Sequence, residues 1–367
     1  MTQVLCVVGA RPNFMKIAPV MAALAEAGLR SKLLHTGQHY DAAMNDSFFQ
    51  DLGIAPPDFH LEVGSASHAV QTAEVMKRFE QVIESEAPNS VLVVGDVNST
   101  IACALVATKL SVPVIHVEAG LRSYDRSMPE EVNRVLTDQI SDLLFTTERS
   151  ALANLRKEGI AEARVHFVGN VMIDTLHRNL ARAVAPAVTL RGHQGHFAVL
   201  TLHRPSNVDD RQVLERLLQT VADINRRIPV VFPLHPRTRA RIETFGLGGV
   251  IKELRLMPPL GYLEMLGLMR SARFVMTDSG GIQEETTALG VPCLTLRENT
   301  ERPITVSEGT NTLIGTDMAK LVAAVDEILS SGGKAGRVPE YWDGQAAVRI
   351  AQIIRPWLQD ERQARVA

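Results

Sequence analysis

The sequence predicts an α/β protein built from two Rossmann-like, doubly wound domains. Three observations lead there. Short runs rich in Val, Ile and Leu alternate with longer amphipathic stretches along the whole chain, the pattern of parallel strands joined by crossover helices. The chain has 367 residues, more than a single core usually organises, so two domains of somewhat under about 200 residues each are expected, with a cleft between them. The residues that directly follow the apolar runs are unusually polar, and ligands of open α/β sheets bind outside the carboxyl ends of strands.

In the first half the strand candidates are VLCVVG (4–9), SKLLHT (31–36), SVLVVGD (90–96), PVIHVE (113–118), DLLFTT (142–147) and RVHFVG (164–169). Helical patterns such as APVMAALAEAG and TIACALVATKL lie between them, the former closed by a glycine suited to a helix C-terminus. The second half repeats the style with HFAVLTL (196–202), PVVFPL (229–234), VIKELRL (250–256), RFVMTD (273–278) and VPCLTL (291–296). The first domain is expected over 1–170 and the second over 171–345, with a helical segment at about 346–367 returning to the first. No short-period repeat or low-complexity tract interrupts this order.

Charge and cysteine content narrow the partners. With 38 Lys+Arg against 41 Asp+Glu the net charge is −3, which argues against a nucleic-acid or membrane surface as the main partner. Cys6, Cys103 and Cys293 sit in or beside apolar runs without metal-ligand spacing, so buried thiols in a reducing cytoplasm are expected. The apolar stretch of MTQVLCVVGA stops at a glycine, too short for a signal sequence or a spanning helix.

Several strand ends carry groups suited to chemistry. After the first strand, GARPNFMK offers a turn glycine at Gly9, Arg11 with a guanidinium able to fork two hydrogen bonds to phosphate, and Lys16. The glycine spacing is neither a dinucleotide fingerprint nor a Walker loop. In TDSGGIQEE, Ser279, Gly280 and Gly281 stand where a strand hands over to a helix, whose first N–H groups and dipole would face an anion. Glu284 and Glu285 then fall in the first turn, matched to the dipole or turned to ribose hydroxyls. Asp96, Glu118 and Glu130 with Glu131 are acidic stations of the first domain; carboxylates set apart from water serve as acid or base. Each also fits a plainer role as a cap or turn acid. Arg122 and Arg134 lie close by in sequence. In the second domain His203 with Arg204, and His235 with Arg237, each directly follow an apolar strand, where histidine can assist a leaving phosphate. Neither histidine has metal-ligand spacing, so no catalytic metal is expected.

In order and spacing, GARPNFMKIAP, GDVNST, HVEAGLRS, MPEEVNRVLTDQISD, LHRPSN, TDSGGIQEE and RENTERPITVSEGTN resemble the non-hydrolysing UDP-N-acetylglucosamine 2-epimerases. The match spans most of the chain. The resemblance implies the glycosyltransferase B fold, with two Rossmann-like domains facing across a nucleotide-sugar cleft and the C-terminal helix packed on the first. It implies interconversion of UDP-N-acetylglucosamine and UDP-N-acetylmannosamine by elimination of UDP to 2-acetamidoglucal and re-addition, with domain closure shielding the intermediate. By resemblance Asp96, Glu118 and Glu130 are the acid/base candidates, Lys16 and Arg134 support the reacting pocket, and His203 assists UDP departure. Arg11, His235, Ser279, Gly280, Gly281 and Glu285 are the UDP-binding set. No cofactor is implied, and a cytoplasmic homodimer is.

One stretch departs from regulated relatives. Where they carry Gln-His-Arg, this chain reads TGQHYDAAMNDSFF, with Tyr40 and Asp41 after His39, which argues against activation by the substrate. The TGQHYD style also occurs in relatives acting on UDP-linked 2,3-diacetamido uronic acids, an alternative substrate class. A hydrolysing epimerase, a glycosyltransferase of the same fold and a sensor that binds nucleotide sugar without turnover are the other readings. The trio of acids favours proton transfer at the donor sugar.

Overall fold

The computed structural model describes residues 3–38, 51–192 and 195–366. It divides the chain into two compact units, Met1–Arg178 with Glu340–Ala367, and Asn179–Pro339. Each is built on an all-parallel sheet, the arrangement expected of strands buried on both faces.

The first unit holds seven strands in the order β3-β2-β1-β4-β5-β6-β7. They are β1 (Val4–Val8), β2 (Ser31–His35), β3 (Phe59–His60), β4 (Ser90–Val94), β5 (Val114–Ala119), β6 (Leu143–Thr146) and β7 (Val165–Phe167). Every residue of β1, β4 and β5 is buried, so β1 and β4 appear in the sequence as apolar runs after at most one leading serine, whereas β5 buries His116 and Glu118 among its apolar residues. The helices are α1 (Arg11–Glu26), α2 (His68–Glu86), α3 (Asn98–Lys109), α4 (Pro129–Ile140), α5 (Arg149–Lys157) and α6 (Val171–Asn179). Helices α2, α3 and α4 pack side by side. Val75, Phe79 and Ile83 of α2 and Ala102, Cys103 and Val106 of α3 meet Leu5, Val7, Val91 and Val93 of the sheet in one core.

This unit runs past residue 170 because α6 is tied into it. The Thr175 hydroxyl donates to the Met15 carbonyl at 2.5 Å, and Asp174 accepts from the amides of Ala346 and Ala347 at 3.1 and 2.7 Å. Those amides open the C-terminal helix (Ala346–Val366), which packs on α1.

The second unit holds six strands in the order β10-β9-β8-β11-β12-β13. They are β8 (Ala198–Thr201), β9 (Val230–Pro233), β10 (Arg255–Met257), β11 (Val275–Thr277), β12 (Cys293–Thr295) and β13 (Asn311–Leu313). Its helices are α7 (Pro186–Thr189), α8 (Pro205–Val208), α9 (Arg211–Asn225), α10 (Pro236–Thr244), α11 (Tyr262–Ser271), α12 (Gly280–Leu289), α13 (Pro303–Ser307) and α14 (Met318–Ser331); the C-terminal helix is then α15. Leu214, Leu217, Leu218 and Val221 recur at helical spacing on α9 and bury against Leu200, Phe232, Phe274 and Met276 together with Leu321, Val325 and Ile328 of α14. The run at 250–256 forms a strand only from Arg255, since residues 250–254 turn and bend after the 3₁₀ turn over Leu247–Gly249. The short edge strands β3 and β13 have no apolar run of their own.

Gly267 in α11 is required by packing, because a Cβ there would stand 1.8 Å from the Val184 carbonyl oxygen. Gly267→Ala is expected to destabilise the second unit by about 1–3 kcal/mol despite the better helix propensity of alanine. Thermal unfolding of the variant checks this, and an unchanged or raised midpoint would show that α11 and the Val184 segment separate freely.

Candidate active site

In each sheet the strand order reverses direction once, between β1 and β4 in the first unit and between β8 and β11 in the second. Such a reversal opens a crevice at the carboxyl ends of the two strands. The polar residues singled out in the sequence gather at these two places.

At the β1/β4 crevice, Asn13 of α1 accepts from the amides of Gly9 and Ala10 at 3.1 and 2.9 Å and donates to the Val94 carbonyl at 3.1 Å. One side chain thus joins the ends of β1 and β4. One turn further on, the Lys16 ammonium lies 2.7 Å from Glu118 Oε2, with both side chains buried. Gly95 makes room for that reach, since a Cβ at 95 would stand 2.9 Å from Lys16 Nζ. Arg11 begins α1.

Glu118 belongs to β5, yet its φ is +74° and the register with β6 shifts between Val117 and Ala119. A bulge with a left-handed, non-glycine residue costs about 1–3 kcal/mol and marks a position held by its surroundings. Asp96, just beyond β4, pairs with Arg134 of α4. The other guanidinium arm is 2.6 Å from Glu131 Oε2. Glu131 also accepts from the Ser123 and Tyr124 amides, both at 2.9 Å, and so fixes the loop before α4. Glu130 follows Pro129 at the start of α4 and is half-buried. Its carboxylate makes no hydrogen bond or ion pair among the described residues.

Arg122 has a different role. Its guanidinium is spent on Glu158, at 2.8 and 2.5 Å, on Asp138 at 2.7 Å and on the Leu121 carbonyl at 2.7 Å. Although burial opposes its charge, these carboxylates push its pKa above the usual arginine range. It braces the structure beside the acids. Sequence reading also passed over His116 and Asp138, fully buried and 2.7 Å apart. The signal available was a histidine inside an otherwise apolar strand.

At the β8/β11 crevice, His203 Nδ1 lies 2.7 Å from Asp278 Oδ1. Asp278 is fully buried and accepts from the amides of His203 and Arg204 at 3.0 and 2.9 Å and from the Asn207 amide group at 3.2 Å. Burial alone would raise its pKa, but His203 and the backbone amides outweigh it and hold the carboxyl below the usual range. The His203 ring is half-exposed, and the His235 ring centroid lies 5.7 Å away. His235 is the N-cap of α10, its Nδ1 accepting from the Arg237 amide at 3.2 Å; Arg237 itself pairs with Asp209.

Ser279 is the N-cap of α12, and its hydroxyl makes no capping bond. Gly280 and Gly281 form the first helical positions, which leaves helix-terminal amides bare of side chains. Because the helix begins at Gly280, Glu284 and Glu285 fall in its second turn and not the first. Both are buried: Glu284 lies 2.8 Å from Arg302 Nε, and Glu285 accepts from the Tyr262 hydroxyl at 3.0 Å. Burial raises the Glu285 pKa to about 8, the Tyr262 hydrogen bond opposing and the charge of Glu284 adding to the rise. Glu301 stands against Gly280, where a Cβ would come within 2.8 Å of its Oε1. Burial opposes its charge, yet Arg302, Arg297 and Arg204 hold it well below the carboxylate range. The stretch containing Tyr40 and Asp41 lies outside the described residues.

Residues 22–355 match the family described as UDP-N-acetylglucosamine 2-epimerase. The chain is 40% identical over 358 residues to the UDP-N-acetylglucosamine 2-epimerase of Methanococcus maripaludis, covering 95% of this chain and 97% of that protein. It is 42% identical over 360 residues to the UDP-2,3-diacetamido-2,3-dideoxy-D-glucuronate 2-epimerase of Pseudomonas aeruginosa, covering 96% and 99%. Its fold matches the crystal structure of the Methanocaldococcus jannaschii UDP-GlcNAc 2-epimerase in complex with UDP-GlcNAc and UDP, with a TM-score of 0.89, 38% identity and coverage of 96% and 99%.

The raised pKa of Glu285 carries a sign for stability. Between the ordinary carboxyl pKa and about 8 the folded chain holds a proton that the unfolded chain has lost, so this group makes stability fall as pH rises through that window. Thermal melts from pH 5 to 8 should therefore slope downward less in Glu285→Gln than in the parent. Equal slopes would remove Glu285 as the source.

Proposed function

The chain belongs to the UDP-N-acetylglucosamine 2-epimerase family, and from that premise we propose that it interconverts UDP-N-acetylglucosamine and UDP-N-acetylmannosamine without net hydrolysis. The observation that carries this reading is the gathering of Asp96, Glu118 and Glu130 at the ends of β4 and β5 and the start of α4, with Lys16 and Arg134 paired to two of them. A glycosyltransferase or a sensor has no use for this proton-transfer set at the donor sugar.

The division of roles follows from the chemistry. A carboxylate of the first unit removes the proton from carbon 2 while the bond from carbon 1 to the diphosphate oxygen breaks, which leaves a double bond between the two carbons. Returning a proton to the opposite face of carbon 2, with re-attack of UDP at carbon 1, completes the inversion. Negative charge grows on the departing diphosphate, so the bare amides after Ser279, with Gly280 and Gly281, and the His203 ring held by Asp278 are assigned to it. Arg11 is assigned to the same diphosphate, His235 to the nucleotide beside His203, and Glu285 to the ribose hydroxyls. Lys16 and Arg134 support the reacting sugar.

A second reading has an observation behind it. The identity to the Pseudomonas aeruginosa relative is 42%, against 40% to the Methanococcus maripaludis UDP-N-acetylglucosamine 2-epimerase, so a UDP-2,3-diacetamido uronic acid is the alternative substrate for the same chemistry. We further propose a cytoplasmic homodimer; the buried, unpaired cysteines accord with a reducing compartment, and among the described residues no helix is long and apolar enough to cross a membrane.

Proton NMR in deuterated water tests the reading. UDP-N-acetylmannosamine carrying deuterium at carbon 2, with no build-up of free sugar, is the expected product from UDP-N-acetylglucosamine. Free N-acetylmannosamine would mean a hydrolysing enzyme, and an unchanged spectrum would pass the question to the diacetamido uronic acid nucleotide. Asp96→Asn, Glu118→Gln and Glu130→Gln should each lower turnover by about two or more orders of magnitude while UDP affinity stays near that of the parent. Unchanged turnover would remove that residue from the acid/base set.

A further inference from the structure

Two residues outside the acid/base set occupy a position that the reaction can use. Asp138 of α4 and His116 of β5 are both fully buried. Asp138 Oδ1 meets His116 Nδ1 at 2.7 Å, and Asp138 Oδ2 accepts from the Gly120 amide at 3.0 Å and from Arg122 at 2.7 Å. His116 and Gly120 are the residues two before and two after Glu118. A single carboxylate thus spans the bulge and grips it on both sides. The other ring nitrogen, Nε2, lies 2.9 Å from the Gly95 carbonyl oxygen. A carbonyl only accepts, so Nε2 donates there, and Gly95 is the residue that precedes Asp96.

Glu118 needs such a grip. Its positive φ is unfavourable for any residue with a side chain, and strain of that kind persists only where neighbouring contacts over-determine it. Lys16 fixes the Glu118 carboxylate but not the backbone turn that presents it. The Gly95 amide donates to the Val117 carbonyl at 3.1 Å and Asn154 to the Gly120 carbonyl at 2.9 Å, but the group that bonds on both sides of the turn at once is Asp138 of α4.

We propose that Asp138 and His116 are positioning residues for the epimerisation: the Asp138 carboxylate locks the backbone around Glu118, and through His116 it locks Gly95 and hence Asp96. This rests on the reading that Glu118 and Asp96 act on the sugar. A carboxylate displaced by about 1 Å can cost 10²-fold in rate, so the lock bears on turnover and little on nucleotide affinity.

The test compares Asp138→Ala, which removes both grips, with Asp138→Asn, which can still accept from Gly120 and Arg122 and offer its amide to Nδ1. Asp138→Ala should lower kcat by about 10²-fold with KM within about threefold of the parent, and Asp138→Asn should recover at least about tenfold of that loss. In a Glu118→Gln background the alanine should cost less than about threefold more, because the effect runs through Glu118. A kcat near the parent's in Asp138→Ala, no recovery with asparagine, or a full additional loss beside Glu118→Gln would each overturn the proposal. Should Asp138→Ala fail to fold, His116→Asn keeps a donor toward Asp138 and releases only Gly95; its loss of kcat should then vanish in an Asp96→Asn background, and persistence there would overturn the proposal. If the parent does not epimerise the nucleotide sugar, the functional reading fails on its own, and hydrogen exchange still decides this one. The Gly120 amide and the 114–122 segment should exchange faster in Asp138→Ala, whereas unaltered exchange would show that no lock exists.

Discussion

A carboxylate and an ammonium placed 2.7 Å apart, with almost no water around either, bind the first unit's chemistry to its fold. Removing either partner of such a pair leaves a buried charge uncompensated, at a cost of about 3–5 kcal/mol, so Lys16 and Glu118 hold each other's elements in place. Lys16 comes from the helix after β1 and Glu118 from the far side of β4, and the pair therefore crosses the point where the strand order turns back. Gly95 lies beneath the crossing. Its φ of +69° and the 2.9 Å approach of Lys16 Nζ to a would-be Cβ leave glycine as the residue that fits. Asn13 repeats the crossing with neutral hydrogen bonds, which fixes the first turn of α1 before Lys16 reaches over.

The second unit solves an analogous problem with different charges. Asp278 is buried at the end of β11 and takes its hydrogen bonds from the stretch after β8, so it crosses the second reversal point as Lys16–Glu118 crosses the first. Its negative charge orients the half-exposed His203 ring through Nδ1. Around α12, three arginines pull Glu301 down while burial pushes Glu285 up. Two carboxyl groups near one helix are thereby kept in opposite states, one as an anion among cations and the other as a partner for Tyr262.

Much of this was legible in the sequence because parallel strands buried on both faces cannot hide their composition. Strands β1 and β4 appear as apolar runs, and polar groups that follow strands, Asp96 after β4, His203 after β8 and Asp278 with Ser279 after β11, stand out beyond them. The edge strands β3 and β13 are too short to build a run, and residues 250–254 of the run that ends in β10 form turns and bends. Glu284 and Glu285 were misplaced by one turn because a glycine pair reads as loop, whereas here the glycines are the helix's first residues. The His116–Asp138 pair joins residues 22 positions apart, on a strand and a helix, and neither element's periodicity announces it. A partner across a fold is a property of topology, and local patterns do not contain it.

The bulge at Glu118 shows why that partner matters. In a regular strand residues two apart share a face, so Glu118 would lie on the side of His116, toward α4. Its carboxylate instead meets Lys16 of α1, a helix from a different crossover. The left-handed residue and the register shift are what redirect the side chain, and they do so by breaking the alternation that keeps a buried strand in register. Such a break is stable when the backbone on either side is pinned independently of the residue itself. Residues 116 and 120 supply the pins, and one carboxylate holds both. The same histidine reaches the Gly95 carbonyl, so one buried group on α4 bears on the backbone of two of the three acids, beside the ion pairs that Lys16 and Arg134 make with their carboxylates.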